Sequence, residues 1–382
     1  MPFASARSEH PITSIATGEV VGAVLERLGE RPDLVVLTVT AAHRGALDDV
    51  VSAVDAVLHP LAMIGCAAGG VVGTGREVED APCISLWAGR VGPLLPLSLR
   101  ANRTSDGGID LSGWPTSMVF RPTALVLVAD PFTFPTDLFL EWLEGICPGL
   151  PVVGGNASVG GGPGASRLVG GDRVLNEGAV GVLLGPGVDV ETVVSQGARP
   201  YGKLLTVTAS ERNIVQRVAG VPALECLVGQ ITDQLTATEM AGLESNGFHV
   251  GRLIDERLTD PRAGDFLVRS VVGVDHDTGA MAVDDRIPVG TAVRFHLRDP
   301  DAATADLRDQ LAEHRADGVL LFTCAGRGTR FFDVADHDAA AFADFLGAAP
   351  TGGCFAAGEF GPVGSANFVH SFTASAALFC DR

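Results

Sequence analysis

Gly65-Cys66-Ala67-Ala68-Gly69-Gly70-Val71-Val72-Gly73 and Gly353-Cys354-Phe355-Ala356-Ala357-Gly358-Glu359-Phe360-Gly361 share one pattern, G-C-x-A-x-G-x-x-G. A weaker third version is Gly154-Gly155-Asn156-Ala157-Ser158-Val159-Gly160. The likeness extends upstream. The apolar run 34–40 leads to Ala42-His43-Arg44-Gly45, and the run 319–323 leads to Ala325-Gly326-Arg327-Gly328. Each run precedes a helical stretch and then the glycine segment. Self-similarity of this kind is read before any local detail. It predicts three strand–helix–strand–glycine-loop units.

Hydrophobic period assigns the elements around these segments. Leu47, Val50, Val51, Val54, Val57 and Leu58 recur at helical spacing. Further helices are expected at 20–28 and 136–144, and strands at 83–87, 124–129, 152–154 and 179–184. The stretch 92–122, rich in Pro, Gly, Ser and Asn, reads as a long loop with short strands. A different, meandering unit follows at 192–218 with a helix from 220 to 231. Its echo is expected at 266–297 with a helix at 302–313. A closing strand is expected at 372–379. Strand–helix–strand pieces imply parallel pairing through right-handed crossovers, and the hairpins add antiparallel strands. The fold class is therefore α/β to α+β, with mixed β-sheets and outer helices. A four-layer αββα stack is one arrangement these units allow.

Composition removes several function classes. The 382 residues carry a formal charge of −19 and no Lys/Arg-rich run. Phosphate-tracking needs clustered cations, so neither nucleic acid nor an anionic membrane is expected as a partner. Lys203 is the only lysine and Leu204 follows it, which excludes a Walker A loop. The seven cysteines form no CxxC pair, as expected of buried thiols in a reducing cytoplasm. Residues 1–18 lack a basic start and a long apolar core, and no apolar run reaches membrane-spanning length. The nine histidines are dispersed, with no HExxH, and no metal or other cofactor is called for.

The glycine segments are not dinucleotide loops, because Gly73-Thr74-Gly75 and Gly361-Pro362 open no helix. They serve either close backbone packing or a pocket wall where amides approach a ligand. Arg327, just past a strand, can grip a carboxylate in two parallel hydrogen bonds or pair with one of the chain's own acids. Arg44 is its repeat partner. Glu359 can hold an ammonium group, act as a base or be solvated. Cys324, Glu359 and His370 would suit a Cys/His-dependent enzyme only if the fold brings them into contact.

Several motifs together resemble the FIST domain family, its N-terminal and C-terminal parts in order. The N-terminal likeness lies in Val152-Val153-Gly154-Gly155-Asn156-Ala157-Ser158, Gly178-Ala179-Val180-Gly181-Val182 and Ser195-Gln196-Gly197-Ala198-Arg199-Pro200-Tyr201-Gly202. The C-terminal likeness lies in Phe266-Leu267-Val268-Arg269, Cys324-Ala325-Gly326-Arg327-Gly328, Gly358-Glu359-Phe360-Gly361-Pro362 and the pattern around Asn367, His370, Phe372 and Thr373. The resemblance implies two FIST-like domains, 1–219 and 220–382. It also implies a sensory role, with small molecules such as amino acids as proposed ligands. No length remains for an output domain, so a separate signalling partner is expected. A protein-interaction scaffold is the other reading. The expected ligand site is one cleft lined by Cys324, Arg327, Glu359 and Asn367, with His370 beside them and Asn156 or Arg199 at the rim. There Arg327 would take a carboxylate and Glu359 an ammonium group.

Overall fold

In the computed structural model, residues 2–236, 239, 240, 243 and 247–381 are described. They form two compact units. The first joins Met1–Ser195 to Leu307–Arg382, and the second is Gln196–Asp306. These units divide the chain differently from its two sequence halves, because the third repeat pairs with the first two. Strand Thr351–Val363 lies between Gly318–Cys324 and Val152–Ala157, and it also pairs with Gly70–Gly73.

The three repeats adopt one geometry. In each, two parallel strands are joined through a helix, and an antiparallel strand flanks the first of them. Leu34–Thr40 runs parallel to Ala62–Ala68 and pairs with Ile84–Gly89. Ala124–Ala129 does the same with Val152–Ala157 and Ala179–Leu184. Gly318–Cys324 does so with Thr351–Val363 and Thr373–Cys380. The connecting helices are Leu47–Leu58, Thr136–Ile146, and the pair Thr329–Phe332 and His337–Phe345.

One glycine per repeat explains the shared motif. Gly65 lies opposite Leu37, Gly154 opposite Leu127 and Gly353 opposite Leu321. Their φ angles are 155°, 155° and 139°. A Cβ would sit 1.7, 1.8 and 1.9 Å from the carbonyl oxygens of those leucines. Only glycine permits this approach. The segments expected as loops are therefore strands, and small residues let neighbouring backbones close.

Alternation builds the layers. Leu34, Val36, Val126, Val128, Leu320 and Phe322 meet in a core shared by the six-stranded and twelve-stranded sheets. Val35, Leu37 and Val39 face outward onto helices Thr13–Leu28 and Leu47–Leu58. Leu125 and Leu127 pack on Thr136–Ile146, while Val319 and Leu321 meet Leu307, Leu311 and Phe342. The first unit is thus a four-layer αββα stack of mixed sheets with outer helices.

The structure changes some expected elements. The stretch read as a long loop with short strands contains the ten-residue strand Leu94–Arg103, paired with Ala179–Leu184. Its Leu97, Leu99 and Ala101 alternate into the core, a period that the surrounding turn residues obscured. Strands Phe3–Ser8 and His249–Leu253 were not expected.

The second unit is a closed ring of antiparallel strands: Ala198–Glu211, Ala292–Arg298, His249–Leu253, Phe266–Val274, Met281–Val283 and Ile214–Val218, returning to the first. The meander and its echo are halves of this one ring. They differ at their helices. Ala223 and Leu227 of Ala223–Gln234 pack in the ring's core with Val250 and Phe295, whereas Leu307 and Leu311 of Pro300–Ala312 pack in the first unit.

Candidate functional site

The residues singled out in the third repeat come together, but not as an open cleft. Arg327 and Asp338 have side chains 0% and 1% exposed. Arg327 Nε donates to Asp338 Oδ2 and Nη2 to Oδ1, both at 2.8 Å. Its third nitrogen, Nη1, points at Phe372 O at 3.4 Å. The guanidinium carbon stands 5.0 Å from the centre of the Phe332 ring, and His337 stacks on that ring's face. Asp338 also accepts from Thr323 Oγ1 at 2.5 Å. Burial opposes charge on both partners, yet their mutual attraction prevails: the arginine is held above its ordinary pKa and the aspartate well below.

Two further carboxyls border this pair. Glu359 accepts from the Thr373 N–H at 3.2 Å and Oγ1 at 2.8 Å. Burial pushes it up to about 7, against the hydrogen bonds from Thr373, the Cys324 thiol and the Arg327 charge. Glu77 accepts from Ala339 N–H at 3.0 Å, and its Oε2 has no hydrogen-bond partner. Burial first, then the Asp338 charge, push it up to about 8. Asp338 and Glu77 escaped the sequence reading because nothing in spacing reveals them as partners of Arg327.

The other expected site residues are engaged elsewhere. Asn367 accepts from Val152 N–H and donates to Leu150 O, both at 2.8 Å. It ties Ala366–His370 to the start of strand Val152–Ala157. Asn156 donates to Ala357 O, and His370 Nε2 lies 3.0 Å from Gly361 O. Arg199 belongs to the second unit, where it pairs with Asp299 and Glu239. Of the expected site residues, Cys324, Arg327 and Glu359 share a buried polar cluster, and Asn367, Asn156 and His370 bond to main chain.

Open space lies instead beyond the carboxyl end of Ala124–Ala129, in the second repeat. A cavity of about 600 Å³ is lined there by Arg100, Asn102, Arg103, Phe132, Thr133 and Glu177, among others. This is the end of a parallel strand where α/β sheets gather ligands. Buried Asp130 shapes the turn behind it, accepting from Ser166 Oγ at 2.6 Å and Thr133 Oγ1 at 2.5 Å. Thr133 in turn accepts the Gly178 N–H at 2.9 Å. Gly178 must be glycine: its φ is 81° and a Cβ would lie 2.3 Å from Leu99 O. Arg100, 70% exposed, meets Glu177 at 3.0 Å, and Arg103 holds both oxygens of Asp137. Phe132 is 47% exposed. Cationic, anionic, amide and aromatic groups therefore face one space. The signal in the sequence was the Leu97/Leu99/Ala101 alternation, which turns Arg100 and Asn102 away from the core.

A second cavity, about 680 Å³, borders strand Phe3–Ser8 and includes Arg7, Glu9 and Arg27. There Arg27 Nη1 is committed to Ser5 O and Ser5 Oγ to Thr74 Oγ1. Among the described residues no cluster of His, Cys, Asp and Glu has metal-binding geometry, and no helix is long and apolar enough to cross a membrane. None of the seven cysteines is in a disulfide.

Comparison with known proteins places the chain. Residues 33–220 match the FIST N domain and residues 223–362 the FIST C domain. An uncharacterized protein of Mycobacterium bovis is 40% identical over 373 residues, covering 96% of this chain and 95% of its own. An uncharacterized protein of Mycobacterium tuberculosis is 38% identical over 385 residues, covering 98% of each.

Proposed function

The chain belongs to the FIST family, whose members are generally sensory domains implicated in signal transduction, and from that premise we propose that it senses a small polar metabolite. The ligand is an amino acid or small carboxylate, bound in the cavity beside Ala124–Ala129. The observation that carries this reading is the pairing of Arg100 with Glu177 at the cavity's edge. An α-amino acid presents the complementary charges: Arg100 and Arg103 take its carboxylate, Glu177 its ammonium group, and Phe132 covers the side chain. The volume falls in the range of small-molecule sites. The seven thiols, none of them in a disulfide, support a cytoplasmic setting. The signal passes to a separate protein.

A thermal-shift screen with amino acids and small carboxylates tests this. A ligand at a hundredfold excess over its Kd stabilises the chain by about 2.7 kcal/mol. Arg100→Ala abolishes that shift and leaves the unliganded melting point nearly unchanged, since the side chain is exposed. A screen without any stabilising compound, or a full shift in Arg100→Ala, overturns the reading.

A further inference from the structure

The hairpin Gly70–Gly73 and Arg76–Glu79 holds the segment 325–345 at several points. Asp336 accepts from the Glu77 N–H and from Arg76 Nη1, both at 2.8 Å. Glu79 accepts from the N–H and Oγ1 of Thr329, both at 2.9 Å. Gly328 makes room for this contact, because a Cβ there would lie 2.5 Å from the Glu79 carboxylate. The innermost contact is Glu77 Oε1 with the Ala339 N–H. The segment itself contains the Arg327–Asp338 pair.

Glu77 is the odd member of this set. It is buried, one oxygen is unpartnered, and its charged neighbours are Asp338, Glu79 and Arg327. Arg327 already shares its charge with Asp338 through two hydrogen bonds. An ionised Glu77 would therefore place a second anion beside Asp338 without a cation of its own. A neutral carboxyl fits the same place without that repulsion.

We propose that Glu77 is the proton-operated bolt of a latch: its neutral form keeps the segment 325–345, with the Arg327–Asp338 pair it contains, seated on the hairpin, and loss of its proton loosens that segment from it. Glu359 adds a second buried carboxyl facing Thr373, Cys324 and Arg327. The hinge ends are Ala325, whose N–H bonds Ala356 O, and the last turn of His337–Phe345. The device is independent of the cavity in the second repeat.

Hydrogen exchange followed by mass spectrometry at about pH 6 and about pH 9 tests it, with rates corrected for intrinsic chemistry. In the wild type, peptides from 325–345 lose protection roughly tenfold or more at the higher pH, while those from 34–40 and 124–129 do not. Glu77→Gln, which mimics the neutral acid, stays protected at both. The latch is overturned if Glu77→Gln opens like the wild type, if the segment does not respond, or if protection falls uniformly along the chain. Infrared spectroscopy of the wild type gives a second reading that needs no variant. The carbonyl stretch of a protonated carboxylic acid is present at the lower pH and lost at the higher. Its absence at the lower pH overturns the proposal, and its persistence in Glu359→Gln assigns it to Glu77.

Discussion

Arg327 and Asp338 meet through two parallel hydrogen bonds of 2.8 Å with neither side chain in contact with solvent. Of the two carboxylates the sequence left open for Arg327, a ligand's or one of the chain's own, the chain supplies its own. A buried pair is costly to break and cheap to replace whole. Arg327→Ala or Asp338→Ala alone should destabilise the fold by about 3–5 kcal/mol, because each leaves an uncompensated charge. Arg327→Met with Asp338→Leu should recover much of that loss. Urea unfolding of the four proteins compares them, and equal stability of single and double variants would refute the pairing argument.

The three strand glycines make a sharper comparison. Gly65→Ala places a methyl 1.7 Å from Leu37 O, a backbone atom in the middle of a sheet. Separating the strands is the only relief, so Gly65→Ala, Gly154→Ala and Gly353→Ala should each prevent folding or shift the urea midpoint severely. Gly18 is the control, since it lies within helix Thr13–Leu28 and no atom comes within 4 Å of its added Cβ. Gly18→Ala should stabilise by about 0.5–1 kcal/mol. Soluble, cooperative folding of all three strand variants would contradict the geometry.

The repeats were legible because each writes its hydrophobic period and its glycine into a short stretch. Leu34–Thr40, Leu47–Leu58, Ala124–Ala129 and Ala179–Leu184 follow from local pattern alone. Arg327 was visible as an anomaly, a charged residue after an apolar strand, but its partner was not. Asp338 stands eleven residues on, and the turns between carry non-glycine residues at positive φ, Asp333 at 56° and Asp336 at 65°. Such turns are poorly forecast by composition. The cavity was hidden for a different reason. Arg100 and Glu177 meet only because Leu99 registers with Ala179 across an antiparallel pair. Register is a tertiary quantity, set by which faces are buried.

Removing the chain from Ser371 onward takes away strand Thr373–Cys380, which lies between Asp189–Gln196 and Gly318–Cys324. Ala377 and Phe379 face the core between the sheets, and Ala374, Ala376 and Leu378 face the helices. Burying a side chain such as Leu378 or Phe379 stabilises by about 1.5–3 kcal/mol, and the loss also uncovers Val319 and Leu321. The truncated chain should be insoluble on expression. Recovery of a soluble form with a cooperative thermal transition would show that this strand is dispensable.

Titration of Glu77 should leave its mark on global stability as well as on the latch. Its folded pKa, about 8, lies above the ordinary value of 4.5, so the native state binds this proton more tightly than the unfolded chain. Stability from this group is therefore full below about pH 4.5, declines as pH rises toward 8 and is lost above it. Glu359, raised to about 7, acts with the same sign over a narrower window. Asp338 acts oppositely: held low by Arg327, it contributes stability at neutral pH that disappears only in strong acid. Below about pH 6.5 the buried His249 and His296, held down to about 3 and about 4 by desolvation, oppose this trend. Between about pH 6.5 and 8 the two glutamates dominate, and urea midpoints should fall with rising pH by an amount worth about 2 kcal/mol. Glu77→Gln removes the larger share of that slope, and Glu77→Gln with Glu359→Gln removes most of it. A slope unchanged in both variants would place the titrating groups elsewhere. A slope of opposite sign in the wild type would mean that the buried glutamates ionise on folding.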